Sequence, residues 1–287
     1  MTRRQIQQSV GLIGFPLKHS ISPAFQQAAF DYHGLPAHYT LWETPPGELS
    51  PAVERLRQES CLGANVTVPF KEAVLAELDE LDERAWRIGA VNTIVNRGGK
   101  LIGYNTDVDG FLKTLDDEGF VIEGKRVCLV GAGGVARAVA VALMDEGAGS
   151  ISLLNRHLER ALALARDLRE LAGSARSSQI LVGEWGNGQT AAVDLIVNAT
   201  SVGMRHGPAA GESPLPRAAI PPEALVFDLV YNPPVTRLLR EAEEVGARVL
   251  NGLSMLVYQG AASFELWTGK PAPLGLMFER ARRALMG

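Results

Sequence analysis

Cysteine is nearly absent from this sequence. Cys61 and Cys128 are the only two in 287 residues, each in an apolar context and neither in a CxxC pair. That excludes a disulfide framework and favours a reduced compartment. Charge of one sign is equally scarce: 28 Lys and Arg against 32 Asp and Glu leave a net charge of -4, too weak a field to gather nucleic acid or an anionic membrane. No apolar run reaches membrane-spanning length, and the opening MTRRQIQQSVGLIGFP is too polar for a secretory signal. The five histidines (His19, His33, His38, His157, His206) show no metal-ligand spacing, and no GxSxG occurs. The expectation is a cytoplasmic, metal-free protein with no nucleic-acid or membrane partner.

What is present suits a folded globular chain, 46% hydrophobic and 21% charged, long enough for one large or two ordinary domains. Strand-like and helix-like segments alternate, which predicts an α/β architecture with mostly parallel sheet. SVGLIGF, AHYTLWET and GANVTVP read as strands, and SPAFQQAAFDYHG and ELSPAVERLRQES as helices. VNTIVNRGGKLIGYNTD reads as a β-hairpin turning at Gly98 and Gly99; a two-residue turn sets Asn92 opposite Asn105, close to Asp107. VDGFLKTLDDEG follows as a helix. GSARSSQI, GEWGNGQT and RHGPAAGESPLPRAAIPP read as surface loops.

The stretch NVTVPFKEAV carries the first chemical signal. Asn65 and Thr67 stand two apart and point the same way in an extended strand. Pro69 suits the first position of a helix. FKEAVLAELDELDERA then has helical period, with Val74, Leu75, Leu78 and Leu81 as one apolar stripe and Lys71 on its face. A lysine in the first turn of a helix stands at the end of the dipole that favours anions, and partial burial disfavours its charge too. Such a setting suits a group that exchanges protons; a lysine snorkelling at a helix edge fits the segment equally well.

KRVCLVGAGGVARAVAVALMDEGAGSISLLNR is a strand, a glycine turn, a helix and a second strand. Gly131, Ala132, Gly133, Gly134, Val135 and Ala136 form a GxGGxA dinucleotide fingerprint in the context that supports it. Its glycines let the backbone approach a pyrophosphate at a helix N-terminus. The second strand ends in Asn155, Arg156 and His157, with Arg160 a turn further on, and not in the acid usual for NAD. Two guanidinium groups suit a 2′-phosphate, so the expected cofactor is NADP. Two further strands, in VDLIVNATSVGM and ALVFDLVYNPP, end in loops that should face it, at Asn198 to Ser201 and Asp228 to Tyr231.

Seven segments in order resemble the shikimate dehydrogenase family: GFPLKHSISPAF, NVTVPFK, GAVNTI with GYNTDVDGF, GAGGVARA, NATSVGM, DLVYNPPVTRLL and NGLSMLVYQGAASFELWTG. The resemblance runs from about Val10 to near the C-terminus. It implies a substrate-binding and catalytic domain over residues 1–109, completed by 252–287, and an NADP-binding Rossmann domain over 110–251. The active site would lie in the cleft between them. It implies NADP-dependent reduction of 3-dehydroshikimate to shikimate, in the pathway to aromatic amino acids, by a monomer or homodimer. Ser20 and Ser22 would hold the substrate carboxylate, and Asn65, Thr67, Asn92 and Gln259 its ring hydroxyls, with Tyr231 a further substrate contact. Lys71 and Asp107 would be the catalytic pair. Thr200 and Ser201 would border the cofactor, and its nicotinamide would lie near Met255, Val230 and Gly252.

The chain departs from the family at two places. The first motif often continues SPxxHN, where Gln26 and Gln27 stand here. The cofactor loop often reads Asn-Arg-Thr, where His157 takes the threonine position, leaving Arg156 and Arg160 to carry the phosphate contact. Taken singly, Asp107 reads as an acid at a helix start, and Ser20 and Ser22 as turn or cap residues before Pro23. Taken together, these groups form a dense hydrogen-bonding set that suits a small polyhydroxylated acid. A quinate-oxidising relative and a non-catalytic metabolite sensor on the same fold are the alternatives.

Overall fold

The structure, a computed structural model, describes residues 7–172, 179–184 and 193–286. It resolves into two compact units, Met1–Gly110 with Val257–Gly287, and Phe111–Leu256. In the first unit β1 (Gln8–Gly14), α1 (Ser22–Tyr32), β2 (Ala37–Glu43), α2 (Leu49–Glu54) and β3 (Cys61–Val66) alternate. They are followed by β4 (Glu80–Leu81), α3 (Glu83–Ile88), β5 (Thr93–Arg97) and β6 (Lys100–Tyr104). The strands lie in the order β2-β1-β3-β5-β6-β4.

This first sheet is mixed: three of its five strand pairs are parallel and two are antiparallel. β1 runs parallel to β2 and β3, but β5 is antiparallel to both β3 and β6. The reason is local: two residues join β5 to β6, and a link that short can connect only antiparallel strands. Arg97 pairs with Lys100 across Gly98 and Gly99, whose φ angles of 64° and 92° are those the expected turn requires. Thr93 pairs with Tyr104, so Asn92 does stand opposite Asn105.

The helix expected over Phe70 to Ala85 does not form. Ala73–Glu77 makes only a short 3-10 turn, Glu80–Leu81 is β4, and α3 starts afresh at Glu83 with Asp82 as its cap. Tertiary partners capture the backbone groups a helix would need. The Lys71 carbonyl accepts the Val91 N–H at 2.8 Å, while the Asp79 and Asp82 N–H groups donate to the Leu101 and Gly103 carbonyls. The apolar residues of the stripe still turn inward: Val74 is in the core, and Leu75, Leu78 and Leu81 pack against it.

α4 (Asp107–Asp117) leads into the second unit, with β7 (Arg126–Val130), α5 (Gly134–Asp145), β8 (Ser150–Asn155), α6 (Leu158–Ala172) and β9 (Ile180–Glu184). β10 (Leu195–Asn198), β11 (Leu225–Asp228), α7 (Arg237–Val245) and β12 (Arg248–Asn251) follow. The sheet order is β12-β11-β10-β7-β8-β9, parallel throughout. RVCLV, LIVN and LVFD are continuous apolar runs, as strands buried on both faces demand. The sheet is built outward in opposite directions from β7 and β10, so a topological switch point lies between them, where ligands of such sheets bind. α8 (Leu253–Thr268) and α9 (Leu274–Met286) end the chain, and from Val257 onward they belong to the first unit. Apart from their ends, the expected loops GSARSSQI and GEWGNGQT lie outside the described residues. Among the described residues no helix is long and apolar enough to cross a membrane.

Candidate active site

Lys71 and Asp107, 36 residues apart, meet in the first unit. Lys71 Nζ donates to Asp107 Oδ2 at 2.6 Å, with 15% of the lysine side chain and 5% of the aspartate side chain exposed. Backbone contacts set this geometry. The bond from Val91 to the Lys71 carbonyl pins the lysine segment beside the start of β5. The Asp107 N–H donates to Asn105 Oδ1 at 3.1 Å, and Asn105 Nδ2 donates to the Ala90 carbonyl at 2.9 Å. Asp107 is also the first residue of α4, so the expected helix-start acid and the acid paired with Lys71 are the same residue.

Asn92 fixes the second oxygen of that carboxylate. Its Oδ1 accepts the Thr106 N–H at 2.8 Å, which sets the sense of the amide. Nδ2 then points at Asp107 Oδ1 (3.0 Å), Thr106 Oγ1 (2.9 Å) and Gln259 Oε1 (3.2 Å). Asp107 therefore receives a donor on each oxygen, an ammonium on one and an amide on the other. Charge-assisted bonds of this kind are about twice as strong as neutral ones.

Asn65 is drawn inward. Its Oδ1 accepts the Tyr39 phenol at 2.8 Å, and its Nδ2 faces Ser263 Oγ (2.9 Å), Thr93 Oγ1 (3.1 Å) and the Asn92 carbonyl (3.2 Å). Burial pushes the Tyr39 phenol up, and a hydrogen bond with Ser22 opposes this. Ser22 is buried at the start of α1, and its N–H donates to the half-buried Ser20 Oγ at 3.3 Å, the turn expected before Pro23. Thr67 and Gln259 are half-buried in the same unit. The sequence reading missed Tyr39, Thr93, Thr106 and Ser263. A signal for Ser263 was present: it stands four residues after Gln259, on the same face of α8.

The second unit gathers the nucleotide candidates. Gly131 follows β7 with φ 124°, and a Cβ there would lie 2.9 Å from the Ala199 carbonyl oxygen, at the switch point. Gly133 precedes α5, no side chain caps that helix, and a Cβ on Gly133 would meet nothing within 4 Å. Open N–H groups and empty space together make a cradle that fits a pyrophosphate. Ala132 and Ala136 are buried, and Gly134 and Val135 half-buried, around it. At the end of β8, Asn155 Nδ2 donates to the His157 carbonyl at 2.8 Å and closes the turn. Arg156 and Arg160 are exposed. Among the described residues no carboxylate pairs with either, and Glu159 lies 3.7 Å from His157 Nδ1 instead.

A buried carboxylate anchors the remaining loops. Asp228 Oδ1 accepts from Asn198 Nδ2 (2.9 Å) and the Val230 N–H (3.0 Å), and Oδ2 from Thr236 Oγ1 (2.6 Å). Asn198 Oδ1 in turn accepts the N–H and hydroxyl of Thr200 at 3.1 and 2.7 Å. The Gly252 N–H donates to the Val230 carbonyl at 3.1 Å. Ser201 is exposed, Met255 is buried, and burial raises the pKa of Tyr231, which belongs to this unit. Burial also pushes Asp228 up to about 6, against three hydrogen bonds that lower it.

Residues 12–94 match the shikimate dehydrogenase substrate binding domain, 115–205 the shikimate / quinate 5-dehydrogenase family, and 252–282 the shikimate 5'-dehydrogenase C-terminal domain. The shikimate dehydrogenase (NADP(+)) of Moorella thermoacetica is 46% identical over 289 aligned positions, covering 99% of this chain and 96% of its own length. The chain belongs to the shikimate dehydrogenase family.

Solved structures of the family agree. Shikimate 5-dehydrogenase from Thermus thermophilus, in complex with NADP(H) and shikimate, is 40% identical with a TM-score of 0.86, over 97% of this chain and 100% of that one. Quinate dehydrogenase from Corynebacterium glutamicum, in complex with NAD, is 32% identical with a TM-score of 0.85, over 96% and 98%. Where the family's first motif often carries His and Asn, the two glutamines of this chain hold α1 in place. Gln26, fully buried, donates to the Gly260 carbonyl of α8 at 2.8 Å. Gln27 accepts the Tyr39 N–H at 2.9 Å and donates to the Ala37 carbonyl of β2 at 3.0 Å.

Proposed function

We propose that this chain catalyses the reversible, NADP-dependent reduction of 3-dehydroshikimate to shikimate, on the route to chorismate and the aromatic amino acids. Family membership supports the reaction, and the Lys71–Asp107 pair at 2.6 Å, set among hydrogen-bonding side chains, is the observation that carries it. In this reading residues 1–109 with 252–287 form the substrate-binding and catalytic domain, and 110–251 the NADP-binding domain.

NADPH, when bound, would supply the hydride to the ketone carbon and leave as NADP+. Gly131 to Ala136 would cradle its pyrophosphate. Asn155, Arg156, His157 and Arg160 would meet the adenosine end and its 2′-phosphate. Thr200, Ser201, Val230, Gly252 and Met255 would border the rest. Lys71 holds at Nζ the proton that the developing alkoxide needs, and as a neutral amine it takes the hydroxyl proton in the oxidation direction. Asp107 aims that ammonium, and Asn92 aims Asp107. Ser20 and Ser22 would hold the carboxylate, with Thr67, Asn92, Gln259 and Tyr231 around the ring. Asn65 would serve through the neighbours it holds.

NADPH formation from NADP and shikimate tests this, with quinate and NAD as parallel substitutions. Fast turnover with shikimate and NADP is expected. Comparable rates with quinate and NAD would instead favour the second reading, which the likeness to a quinate dehydrogenase holding NAD makes specific. The two exposed arginines without carboxylate partners among the described residues favour the first.

A further inference from the structure

Thr93 and Ser263 are fully buried polar side chains with no part in the chemistry just described. Their oxygens lie 2.7 Å apart, at the point where β3, β5 and α8 meet. Counting protons through them gives a direction. Asn65 Oδ1 is committed to the Tyr39 phenol, so Asn65 Nδ2 faces both hydroxyls as a donor. Each hydroxyl must then pass its own single proton onward. Asn92 Oδ1 accepts from Thr93 at 3.0 Å, so the contact between the two hydroxyls needs the proton of Ser263. The Gln259 carbonyl, also within 2.9 Å of Ser263, is served by Thr106 at 3.0 Å, and Thr106 Oγ1 can donate there because it accepts from Asn92 Nδ2. One arrangement thus gives each of the three hydroxyls a donor and an acceptor, with the two Asn92 Nδ2 hydrogens on Thr106 Oγ1 and Asp107 Oδ1. Protons run from Tyr39 through Asn65, Ser263 and Thr93 to Asn92, whose amide ends on Asp107.

We infer that Thr93 and Ser263 are positioning residues for the Lys71–Asp107 pair: their hydroxyls lock Asn65 and, through Asn92, the orientation of the Asp107 carboxylate. The inference rests on the functional reading above and extends it to two side chains to which that reading gives no contact with substrate or cofactor. A donor at residue 93 adds to the Thr106 N–H in holding the amide sense in which Asn92 presents N–H groups to Asp107. A side chain of the same shape without the hydroxyl withdraws that donor and removes one of the three acceptors that face Asn65 Nδ2 in a buried site.

The test compares Thr93→Val, Thr93→Ser and Ser263→Ala with the wild type in steady-state shikimate oxidation. It adds shikimate affinity without nucleotide, NADPH affinity by fluorescence, and thermal melting. Thr93→Val and Ser263→Ala are expected to lower kcat by about tenfold, the loss of one buried hydrogen bond's worth of orientation. NADPH affinity should stay unchanged, and Thr93→Ser should restore most of the rate. Wild-type kcat in folded Thr93→Val would overturn the inference, as would Thr93→Ser turning over as slowly as Thr93→Val. Absence of shikimate oxidation in the wild type would overturn the functional reading itself and this inference with it, so the two failures are distinguishable.

Discussion

Replacing Lys71 by alanine separates chemistry from scaffold. The ammonium is the donor on Asp107 Oδ2, and in the proposed mechanism its loss removes the proton that the alkoxide requires. A positioned proton-transfer group contributes about 10²–10⁴-fold, which is about 3–5 kcal/mol of barrier. Stability responds differently. Asp107 keeps the Asn92 amide on Oδ1 but loses its counter-ion with only 5% of its side chain exposed. Breaking a wholly buried pair costs about 3–5 kcal/mol. Here 15% of the lysine side chain reaches solvent, so the truncated site admits water and the cost falls towards that of one charge-assisted bond, about 1.5–3 kcal/mol. That is smaller than the stability of about 5–15 kcal/mol of ordinary proteins, and the variant stays folded. The assay is NADPH absorbance with saturating shikimate and NADP, beside calorimetric melting and NADPH binding. A kcat lower by two to four orders of magnitude, with unchanged NADPH affinity, is expected. Turnover within about threefold of wild type would refute the assignment, because no proton-transfer role is worth so little.

Three further outcomes follow from the second unit. Arg156→Ala should weaken NADP by about tenfold or more, as loss of a charge-assisted bond does, and leave NAD unchanged in parallel titrations; equal effects on both would remove the 2′-phosphate contact. Gly131→Ala forces a side chain into φ 124° and towards the Ala199 carbonyl, so melting should drop by the equivalent of about 1–3 kcal/mol and the stabilisation by added NADP should vanish; an intact NADP-induced shift would contradict the cradle. Asp228→Asn tests the buried carboxyl, whose folded value of about 6 lies above its unfolded one. Its stabilising contribution is complete below about pH 4 and is lost as pH rises through about 6, a change of about 3 kcal/mol. Urea unfolding should therefore show the variant gaining on the wild type mainly between about pH 4 and 6, and a difference independent of pH would refute the assigned shift.

Much of the site was legible because its signals are local. The glycine turn shows in the sequence because adjacent residues make it: Gly131 takes φ 124° close to the Ala199 carbonyl, and Gly133 leaves open space before α5. The placement of Asn92 opposite Asn105 followed from a two-residue turn whose φ angles only glycine adopts readily. Period alone misled at Phe70 to Ala85. The apolar stripe was real, since Val74 and its neighbours are inside, but β5 and β6 claimed the backbone donors and acceptors that a helix would have used. Lys71 consequently owes its setting to the Val91 N–H and to Asp107, not to a helix dipole. The spacing of Ser263 from Gln259 placed it on the right face of α8, but its contact with Asn65, 198 residues away, has no sequence signature. Residue types and their short spacings are set by the chain itself. Which buried donor meets which acceptor depends on strands and helices far apart in sequence packing side by side, and only the folded structure decides it.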